Sequence, residues 1–444
     1  MPARLRPGSV PLVLAALAVL AAGWWLAGRA PRAGAPARAH PGGDGLLIVD
    51  THIDVPYRLV EQGEPHDDVA TATGRGDFDA PRARQGGLDV AFFSIYVPAE
   101  LQEKGGARAY ADSLIDLVEG IARAHPETFR IVTSADAAEA AARDGRIGLA
   151  LGIENAAAFE DDLGSVAHFY ARGVRYATLT HSEDNLIGDS SYSEPAKRRW
   201  HGLSPFGVAV IAEMNRLGMM VDLSHVSDET FDAALAAAQA PPIASHSSCR
   251  HFTPGFERNL DDARIRALAA RGGTAQINFG SGFLTAAANA WSEAEWTAEH
   301  EFKEQSGATE GSVELAAWRA EYQKTKPFPR ATIDDVVAHV EHVAQVAGAS
   351  HVGFGSDFDG VGPTTPAGLE DVSKYGALVA KLAARGHSRS ELAAIAGGNL
   401  LRVWRDCERV ARELQKAGMQ GKADRESSTG RVDRALAPAA PGVR

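Results

Sequence analysis

Short apolar runs that end at a histidine or a carboxylate recur along this chain of 444 residues and constrain its fold more than any other feature. Runs such as 46–50, 147–153 and 351–355 have the apolar character of parallel strands buried on both faces. The polar residues at the ends of such runs are His52 with Asp54, Glu154, His181, His225, His246 and Asp357. Because a β/α barrel gathers the C-terminal ends of its strands at one face, the sequence predicts a single polar site there.

The apolar runs alternate with Ala-rich helical stretches, which is the rhythm of a parallel sheet. Eight candidate strands begin near Leu46, Val90, Ile147, Val174, Met219, Pro242, Thr274 and His351. Amphipathic helices are predicted at 107–124, 205–217, 227–238, 260–271 and 333–347. The sequence therefore predicts an α/β fold, a single (β/α)8 TIM-like barrel. An open doubly wound sheet is the alternative, but no Gly-rich phosphate motif follows the first strand.

Composition restricts the classes of partner. The formal net charge of -12 argues against nucleic acid, which binds basic surfaces, and favours a small-molecule substrate. The two cysteines, Cys249 and Cys407, lie in no metal-binding spacing and are too few for a disulfide framework. We assign them no role, and a pair between them stays open.

The first 39 residues differ from the rest of the chain. Arg4 and Arg6 precede an uncharged apolar stretch over 7–28, the pattern of an export signal. A cleaved signal peptide and an uncleaved N-terminal membrane anchor both stay open, and Ala37-Arg38-Ala39 slightly favours cleavage. We expect an exported protein that is periplasmic, extracellular or anchored to a membrane facing outward.

Two segments interrupt the barrel rhythm that we predict for residues 40–416. Residues 281–330, rich in Ala, Glu and Trp, form an insertion that would emerge on the catalytic face as a lid, a subunit contact or a plain helix hairpin. Residues 417–444 are polar and read as a disordered tail. His339 and His342 lack a metal motif, and we expect them to be solvated.

Several of the residues at strand ends have the chemistry of metal ligands. His52 and Asp54 are two residues apart on an extended backbone, so their side chains point the same way and can hold the same ion. His225 and His246 each follow a buried strand, and neutral imidazole is the commonest zinc ligand. This mixed nitrogen and oxygen set favours Zn²⁺ over Mg²⁺ or Ca²⁺.

Glu154 follows a buried strand with no adjacent Lys or Arg, so a metal would offset its charge. If Glu154 is shared, His52 with Asp54 can serve one ion and His225 with His246 a second, with a hydroxide held between the metals for attack on a carbonyl. We assign a proton-transfer role to Asp357. His181 could donate to the oxygen of the group under attack.

Seven motifs together resemble those of the membrane dipeptidase (renal dipeptidase) family, from about residue 46 to 414. They are Asp50-Thr-His-Ile-Asp-Val-Pro56, Gly152-Ile-Glu154, Leu179-Thr-His181, Asp222-Leu-Ser-His-Val-Ser227, Ser245-His-Ser-Ser248, Arg258-Asn-Leu-Asp-Asp262 and Gly355-Ser-Asp-Phe-Asp-Gly360. The resemblance implies a barrel metallopeptidase of the amidohydrolase-like superfamily with two zinc ions per subunit, and a homodimer.

Carried over residue by residue, the resemblance implies one zinc held by His52, Asp54 and Asp357, and another by His225 and His246. It implies that Glu154 bridges the two ions, that His181 contacts substrate and that Arg258 binds its terminal carboxylate. A guanidinium suits that role, although an ordinary salt bridge with Asp261 or Asp262 is the alternative. Gly280 departs from the family, whose members usually have an aromatic residue there.

The expected function is an exported zinc dipeptidase that cleaves free dipeptides, including those with a C-terminal D-residue. The alternative is another binuclear metal amidohydrolase acting on cyclic amides, lactones or related substrates. Such barrels commonly bridge their metals with a carboxylated lysine, whereas Glu154 stands here and no lysine lies at any strand end. A non-catalytic binding protein is a further alternative, although such a protein would be expected to have lost ligands.

Overall fold

The computed structural model describes residues 45–63 and 65–435, with side chains as far as residue 418. All these residues belong to one compact unit within 40–444. The predicted signal or anchor at 1–39 lies outside the described residues. Among the helices of the described part, none has both the length and the apolar character that a membrane span requires.

The strands form one parallel sheet. They are β1 (Ile48–Ile53), β2 (Leu88–Tyr96), β3 (Phe129–Ile131), β4 (Ile147–Glu154), β5 (Val174–Thr178), β6 (Met220–Asp222), β7 (Ile243–Ala244), β8 (Thr274–Ile277) and β9 (Val352–Phe354). Neighbours pair in the order β2-β1-β9-β8-β7-β6-β5-β4-β3, and an additional pairing of β2 with β4 closes an eight-stranded barrel. The predicted TIM-like barrel is therefore confirmed. The sequence did not predict β3, which pairs only with the start of β4.

Helices surround the barrel. Those before β8 are α1 (Val55–Gln62), α2 (Ala80–Gly86), α3 (Leu101–Lys104), α4 (Ala107–Ala124), α5 (Ala135–Arg143), α6 (Gly164–Ala171), α7 (Pro205–Leu217), α8 (Asp228–Ala237) and α9 (Asp262–Ala270). Those after β8 are α10 (Ser281–Leu284), α11 (Ala286–Ser306), α12 (Val313–Thr325), α13 (Ile333–Ala347), α14 (Tyr375–Ala384), α15 (Arg389–Ala393) and α16 (Asn399–Ala435).

Helix boundaries follow local chemistry. At the start of α7, the Ser204 side chain accepts from the backbone N–H of Gly207, and Pro205 occupies the first turn, where its missing N–H has no partner to lose. At the end of α7, Gly218 adopts φ 89°, a left-handed conformation that glycine tolerates best. These signals explain why the predicted bounds of this helix match the observed ones.

The last helix supports the base of the barrel. Trp404 of α16 is fully buried, and its ring lies 5.3 Å from that of Phe92 in β2. Phe92 in turn stacks on Tyr176 of β5 at 5.5 Å. The bounds of α16 extend through Ala435, into the segment predicted as a disordered tail. Residues 436–444 lie outside the described residues, and the tail prediction stays a prediction.

The segment 281–330 folds as α10 followed by a hairpin of α11 and α12. Aromatic pairs join the two long helices, with Trp291 stacked edge-on against Tyr322 at 5.6 Å and Phe302 stacked on Trp318 at 5.5 Å. Trp296 is 66% exposed. Roles for the hairpin as a lid or a subunit contact stay predictions.

Candidate metal centre

The predicted ligands converge at the C-terminal ends of the strands. His52 lies in β1, Asp54 directly follows that strand, and Glu154 is the last residue of β4. The loops after β5, β6, β7 and β9 carry, in that order, His181, His225, His246 and Asp357. Residues 200 or more apart in the chain thereby approach one another. The barrel face that the sequence predicted is therefore the place where these side chains meet.

Glu154 occupies the centre of this cluster. Its Oε2 lies 3.3 Å from Nε2 of His52 and accepts a hydrogen bond of 3.1 Å from Ser94. Its Oε1 faces a different set of imidazoles, lying 3.1 Å from Nε2 of His225, 3.3 Å from Nε2 of His246 and 3.4 Å from Nε2 of His181. Each oxygen of the Glu154 carboxylate therefore faces a different group of potential metal ligands. We call His181, His225 and His246 the imidazole side.

The other group, His52, Asp54 and Asp357, is the carboxylate side. Nε2 of His52 lies 3.5 Å from Asp54 Oδ2 and 3.9 Å from Asp357 Oδ1. Asn278 donates to the other oxygen of Asp357, Oδ2, at 2.7 Å, which orients the carboxylate. A Cβ at Gly360 would lie 2.4 Å from both Asp357 Oδ1 and Asp54 Oδ2, so only glycine fits against these two carboxylates.

The cluster has the composition of a cation site. Three groups have ligand atoms within 4.8 Å of one another, namely His52–Glu154–His246, Glu154–His181–His225 and His52–Asp54–Asp357. His52 Nε2 and Asp54 Oδ2 are buried without a hydrogen-bond partner. Among the described residues, no Lys or Arg lies within 4.0 Å of the carboxylates of Asp54, Glu154 or Asp357. Buried carboxylates without a cation are unfavourable, so this donor set fits bound metal ions.

The orientation of His52 is set inside the barrel by Tyr176. The Tyr176 hydroxyl donates to the carbonyl oxygen of Thr51 at 3.0 Å and lies 2.8 Å from His52 Nδ1. Because the hydroxyl proton is already used, Nδ1 must be the donor of the second bond. Nε2, the nitrogen that is left to bind a metal, then faces the cluster. Gly152 makes room for the Tyr176 ring, since a Cβ at Gly152 would lie 2.0 Å from that ring.

His246 is oriented in the same way by different residues. Ser245 Oγ donates to Asp222 Oδ2 at 2.6 Å and lies 2.7 Å from His246 Nδ1. Nδ1 of His246 is therefore the donor to Ser245, and its Nε2 carries the lone pair that faces Glu154. Each side of the centre has its own buried hydrogen-bond relay that fixes one imidazole tautomer.

Burial shifts the pKa values of the imidazoles and of the Asp357 carboxyl in opposite directions, in each case towards the neutral form. Burial, aided by the Arg258 charge, lowers the pKa of His181 and lowers those of His225 and His246 well below the ordinary value, so these imidazoles are neutral. Burial together with the Asp54 carboxylate raises the pKa of the Asp357 carboxyl to about 8. Burial alone would also raise the pKa of Glu154, but the surrounding imidazoles hold it well below its usual range.

Two of the candidate ligands have unusual backbone conformations. His225 adopts φ 66° and Asp357 adopts φ 63°, in the left-handed region that non-glycine residues seldom occupy. Such conformations cost on the order of 1–3 kcal/mol and persist where the surrounding structure imposes them, which is common at functional sites. The fold therefore aims these two side chains at the centre at some expense in stability.

Arg258 lies beside the imidazole side. Its guanidinium donates to Ser247 Oγ at 2.7 Å and to the carbonyl oxygen of His246 at 2.8 Å, and it is 2% exposed. Among the described residues no carboxylate lies within 4.0 Å of it, and its Nε has no partner. The alternative of a salt bridge is wrong, because Asp261 pairs with Arg264 and Asp262 pairs with His342.

The structure brings every predicted site residue together, and it adds residues that the sequence did not single out. These are Tyr176, Asp222, Ser245, Asn278 and Ser94, which hold the ligands by hydrogen bonds. A weak signal exists for Asp222 and Ser245, which lie in two of the recognised motifs. How the ligands divide between two ions stays a prediction.

Comparison with known proteins agrees with this geometry. Residues 38–418 match the family Membrane dipeptidase (Peptidase family M19). An uncharacterized dipeptidase of Schizosaccharomyces pombe is 36% identical over 384 residues, which cover 83% of this chain and 82% of the yeast protein. The probable dipeptidase PvdM from Pseudomonas aeruginosa has the same fold, with a TM-score of 0.70 at 24% identity over 83% of this chain and 96% of that one.

A third similar protein has a known ligand. The metallopeptidase from Rhodobacter sphaeroides, liganded with a phosphinate mimic of the dipeptide L-Ala-D-Ala, superposes with a TM-score of 0.67 at 24% identity. The match covers 82% of this chain and 100% of that one. The family match extends over most of the chain and coincides with the barrel that carries the His, Asp and Glu cluster. This chain therefore belongs to the membrane dipeptidase family, peptidase family M19, and is a metallo-dipeptidase.

Proposed function

We propose that this protein is an exported dipeptidase with two zinc ions per subunit, which hydrolyses free dipeptides, including those with a C-terminal D-residue. The observation that carries the proposal is a juxtaposition of opposite charges. Among the described residues, two buried carboxylates, Asp54 and Glu154, and the partly buried Asp357 have histidines but no Lys or Arg within 4.0 Å. Beside them the buried Arg258 has no carboxylate partner in the described part of the chain. A pair of metal ions and a substrate carboxylate would satisfy both.

We assign the ligand atoms to two ions. His52, Asp54 and Asp357 would hold one zinc, His225 and His246 the other, and Glu154 would contribute one oxygen to each. Zinc suits this mixture of imidazole nitrogen and carboxylate oxygen. Bound zinc would polarise the scissile carbonyl and lower the pKa of water.

Arg258 would bind the terminal carboxylate of the dipeptide. A guanidinium forms paired, charge-assisted hydrogen bonds with a carboxylate, and burial strengthens them. Ser247 and the His246 carbonyl use part of its donor capacity and fix its position, while Nε stays without a partner. An exopeptidase limited to dipeptides needs such an anchor, because it must recognise the chain end.

Two residues would move or donate protons. Asp357, whose Oδ2 accepts a hydrogen bond from Asn278, would both hold zinc and carry a proton from the attacking water to the leaving amine nitrogen. His181 lies across Glu154 from Asp357 and would donate a hydrogen bond to the oxygen of the scissile carbonyl. These roles place the base and the donor on opposite sides of the centre.

A C-terminal D-residue is compatible with this anchor. Recognition through the carboxylate leaves two directions open to the side chain of the last residue, and the Rhodobacter sphaeroides metallopeptidase binds a mimic of L-Ala-D-Ala. Kinetics on L-Ala-L-Ala and L-Ala-D-Ala test this point. Turnover of the L,L member alone would remove the D-residue from the proposal.

The location of the protein rests on its sequence. An apolar stretch flanked by arginines in residues 1–39 supports export, with or without a membrane tether. Fractionation of cells that produce the full chain would place it outside the cytoplasm. A homodimer is the family expectation, and sedimentation of the purified protein tests it.

The proposed substrate class is tested with a matched set of peptides. We expect the zinc-loaded protein to hydrolyse Ala-Ala and to leave N-acetyl-Ala-Ala, Ala-Ala-amide and Ala-Ala-Ala essentially intact. Equal cleavage of the amide and the free dipeptide would contradict recognition of the terminal carboxylate. Inactivity on every dipeptide, with cleavage of a cyclic amide or lactone, would favour the alternative amidohydrolase chemistry.

A further inference from the structure

Three aromatic rings form a continuous arc between Arg258 and the imidazole side. The Arg258 guanidinium carbon lies 5.3 Å from the ring centroid of Phe283. The Phe283 ring is 5.8 Å from that of Phe256, which is 6.3 Å from that of Tyr192. The Tyr192 ring is 6.1 Å from that of His225, so the arc ends at a candidate metal ligand.

The rings of this arc are unusual in their exposure. Tyr192 is 47% exposed, and Phe256 and Phe283 are partly exposed. By contrast, Phe279 and Phe354 near the same strand ends are fully buried. The exposed faces of these rings are in contact with water, and a ligand bound at the site would cover them and so bury apolar surface.

Two hydrogen bonds to backbone carbonyls fix the chain beside Tyr192 and at Phe283. Ser191, next to Tyr192, donates from its backbone N–H to the carbonyl oxygen of His225 at 2.8 Å. Asn259 Nδ2 donates to the carbonyl oxygen of Phe283 at 2.8 Å. The aromatic arc therefore forms a fixed wall beside the candidate metal centre.

We infer that the aromatic arc of Tyr192, Phe256 and Phe283 is the subsite for the side chain of the C-terminal residue, and that it selects bulky apolar residues. In a dipeptide the terminal carboxylate and the last side chain leave the same Cα. With the carboxylate on Arg258, one of the two directions open to that side chain leads against these rings, because Phe283 lies beside the guanidinium. An apolar side chain would bury the ring faces, whereas glycine leaves them in water.

This inference rests on the proposed function, because it requires the substrate carboxylate to bind Arg258. The experiment compares kcat/KM for Ala-Gly, Ala-Leu and Ala-Phe, which share their N-terminal residue, with the zinc-loaded full chain. We expect kcat/KM for Ala-Phe to exceed that for Ala-Gly by at least about 10-fold, the scale of one or more methylenes in an apolar pocket. A ratio near one overturns the subsite.

Two variants locate the preference. Phe256→Ala and Tyr192→Ala should each lower the ratio of kcat/KM for Ala-Phe to that for Ala-Gly by at least about 5-fold, mainly through KM for Ala-Phe. Because the Tyr192 ring is half-exposed, we expect Tyr192→Ala to fold normally even if Phe256→Ala does not. Trp296→Ala removes an exposed ring on the hairpin and is the control, with an unchanged ratio.

The outcomes separate the two proposals. Equal losses on Ala-Phe and Ala-Gly in both variants would contradict the subsite and leave the dipeptidase proposal intact. Wild-type protein that hydrolyses none of the three dipeptides, with zinc bound, would instead reject the proposed function.

Discussion

The carboxylate side and the imidazole side of the centre share Glu154 but differ in charge and in support. The carboxylate side combines one imidazole with the buried Asp54 and the partly buried Asp357, and desolvation raises the pKa of Asp357 to about 8. The imidazole side consists of neutral histidines next to the positive charge of Arg258. The first side needs a cation to be stable, whereas the second offers neutral imidazoles and has beside it the positive charge that we propose binds the substrate.

This difference indicates that the barrel separates metal binding from substrate binding within one site. Excess negative charge is concentrated where we propose that a metal binds and a proton is carried. The guanidinium and the aromatic arc lie on the opposite side, where the dipeptide would be anchored. Substitutions on one side, or at the shared Glu154, therefore test whether the two sides act separately.

The largest effect is expected from Glu154→Gln, which removes the shared charge at nearly constant volume. Both sides lose a ligand, so we expect zinc content well below two per chain and a fall in kcat/KM of at least about 10³-fold. Metal analysis after dialysis, together with dipeptide kinetics, measures both. Glu194→Gln removes an exposed carboxylate and is the control. A Glu154→Gln variant with two zinc ions and normal turnover would show that the sides are independent.

The second effect concerns Arg258→Met, which removes the buried cation and retains much of the stem. Loss of a buried charged contact costs about 3 kcal/mol, so KM for free dipeptides should rise roughly 100-fold at unchanged zinc content. Arg264→Met is the matched control, because Arg264 is paired with Asp261 and Asp232 away from the centre. If Arg258→Met lost zinc while KM stayed normal, Arg258 would belong to the metal site and not to substrate binding.

A smaller effect is expected from the two relays. Tyr176→Phe removes the hydroxyl that orients His52, and Ser245→Ala removes the one that orients His246. Loss of such outer hydrogen bonds weakens metal binding about 10- to 100-fold. In a stepwise zinc titration the two variants should weaken different steps, and the double variant both. Weakening of the same step by both variants would contradict the division into sides.

The smallest effect is a pH dependence in chelated protein. Because the pKa of Asp357 is raised to about 8, the folded protein keeps a proton that the unfolded chain has lost, and stability must fall as pH rises towards 8. Between pH 6.5 and 8, unfolding of Asp357→Asn should depend less steeply on pH than that of wild type, by at most about 1.4 kcal/mol per pH unit. Thermal unfolding in the presence of chelator measures this, and identical slopes would refute it.

Patterns local in the sequence predicted most of the fold. Buried apolar runs marked all eight barrel strands, and a serine cap with proline and glycine marked the ends of α7. The strand β3 was missed because three residues are too short to show a period. The positions of the candidate ligands were predictable because each of them lies at the end of an apolar run.

Contacts that depend on barrel closure were not predictable. The bond between Tyr176 and His52 joins residues 124 apart in the chain, so neither residue reveals it. The prediction that His339 is solvated was wrong. His339 is fully buried, accepting from the backbone N–H of Cys249 and contacting the Leu284 carbonyl at 2.9 Å. Helical spacing alone cannot show that a buried imidazole will find such partners.

The most direct test of the account is zinc titration of the chelated full chain, with hydrolysis of Ala-Ala and metal content measured at every step. We expect no activity after chelation and full recovery when two zinc ions are bound per chain. Full activity without metal, or full recovery with a single bound ion, would contradict a centre in which Glu154 joins two sides.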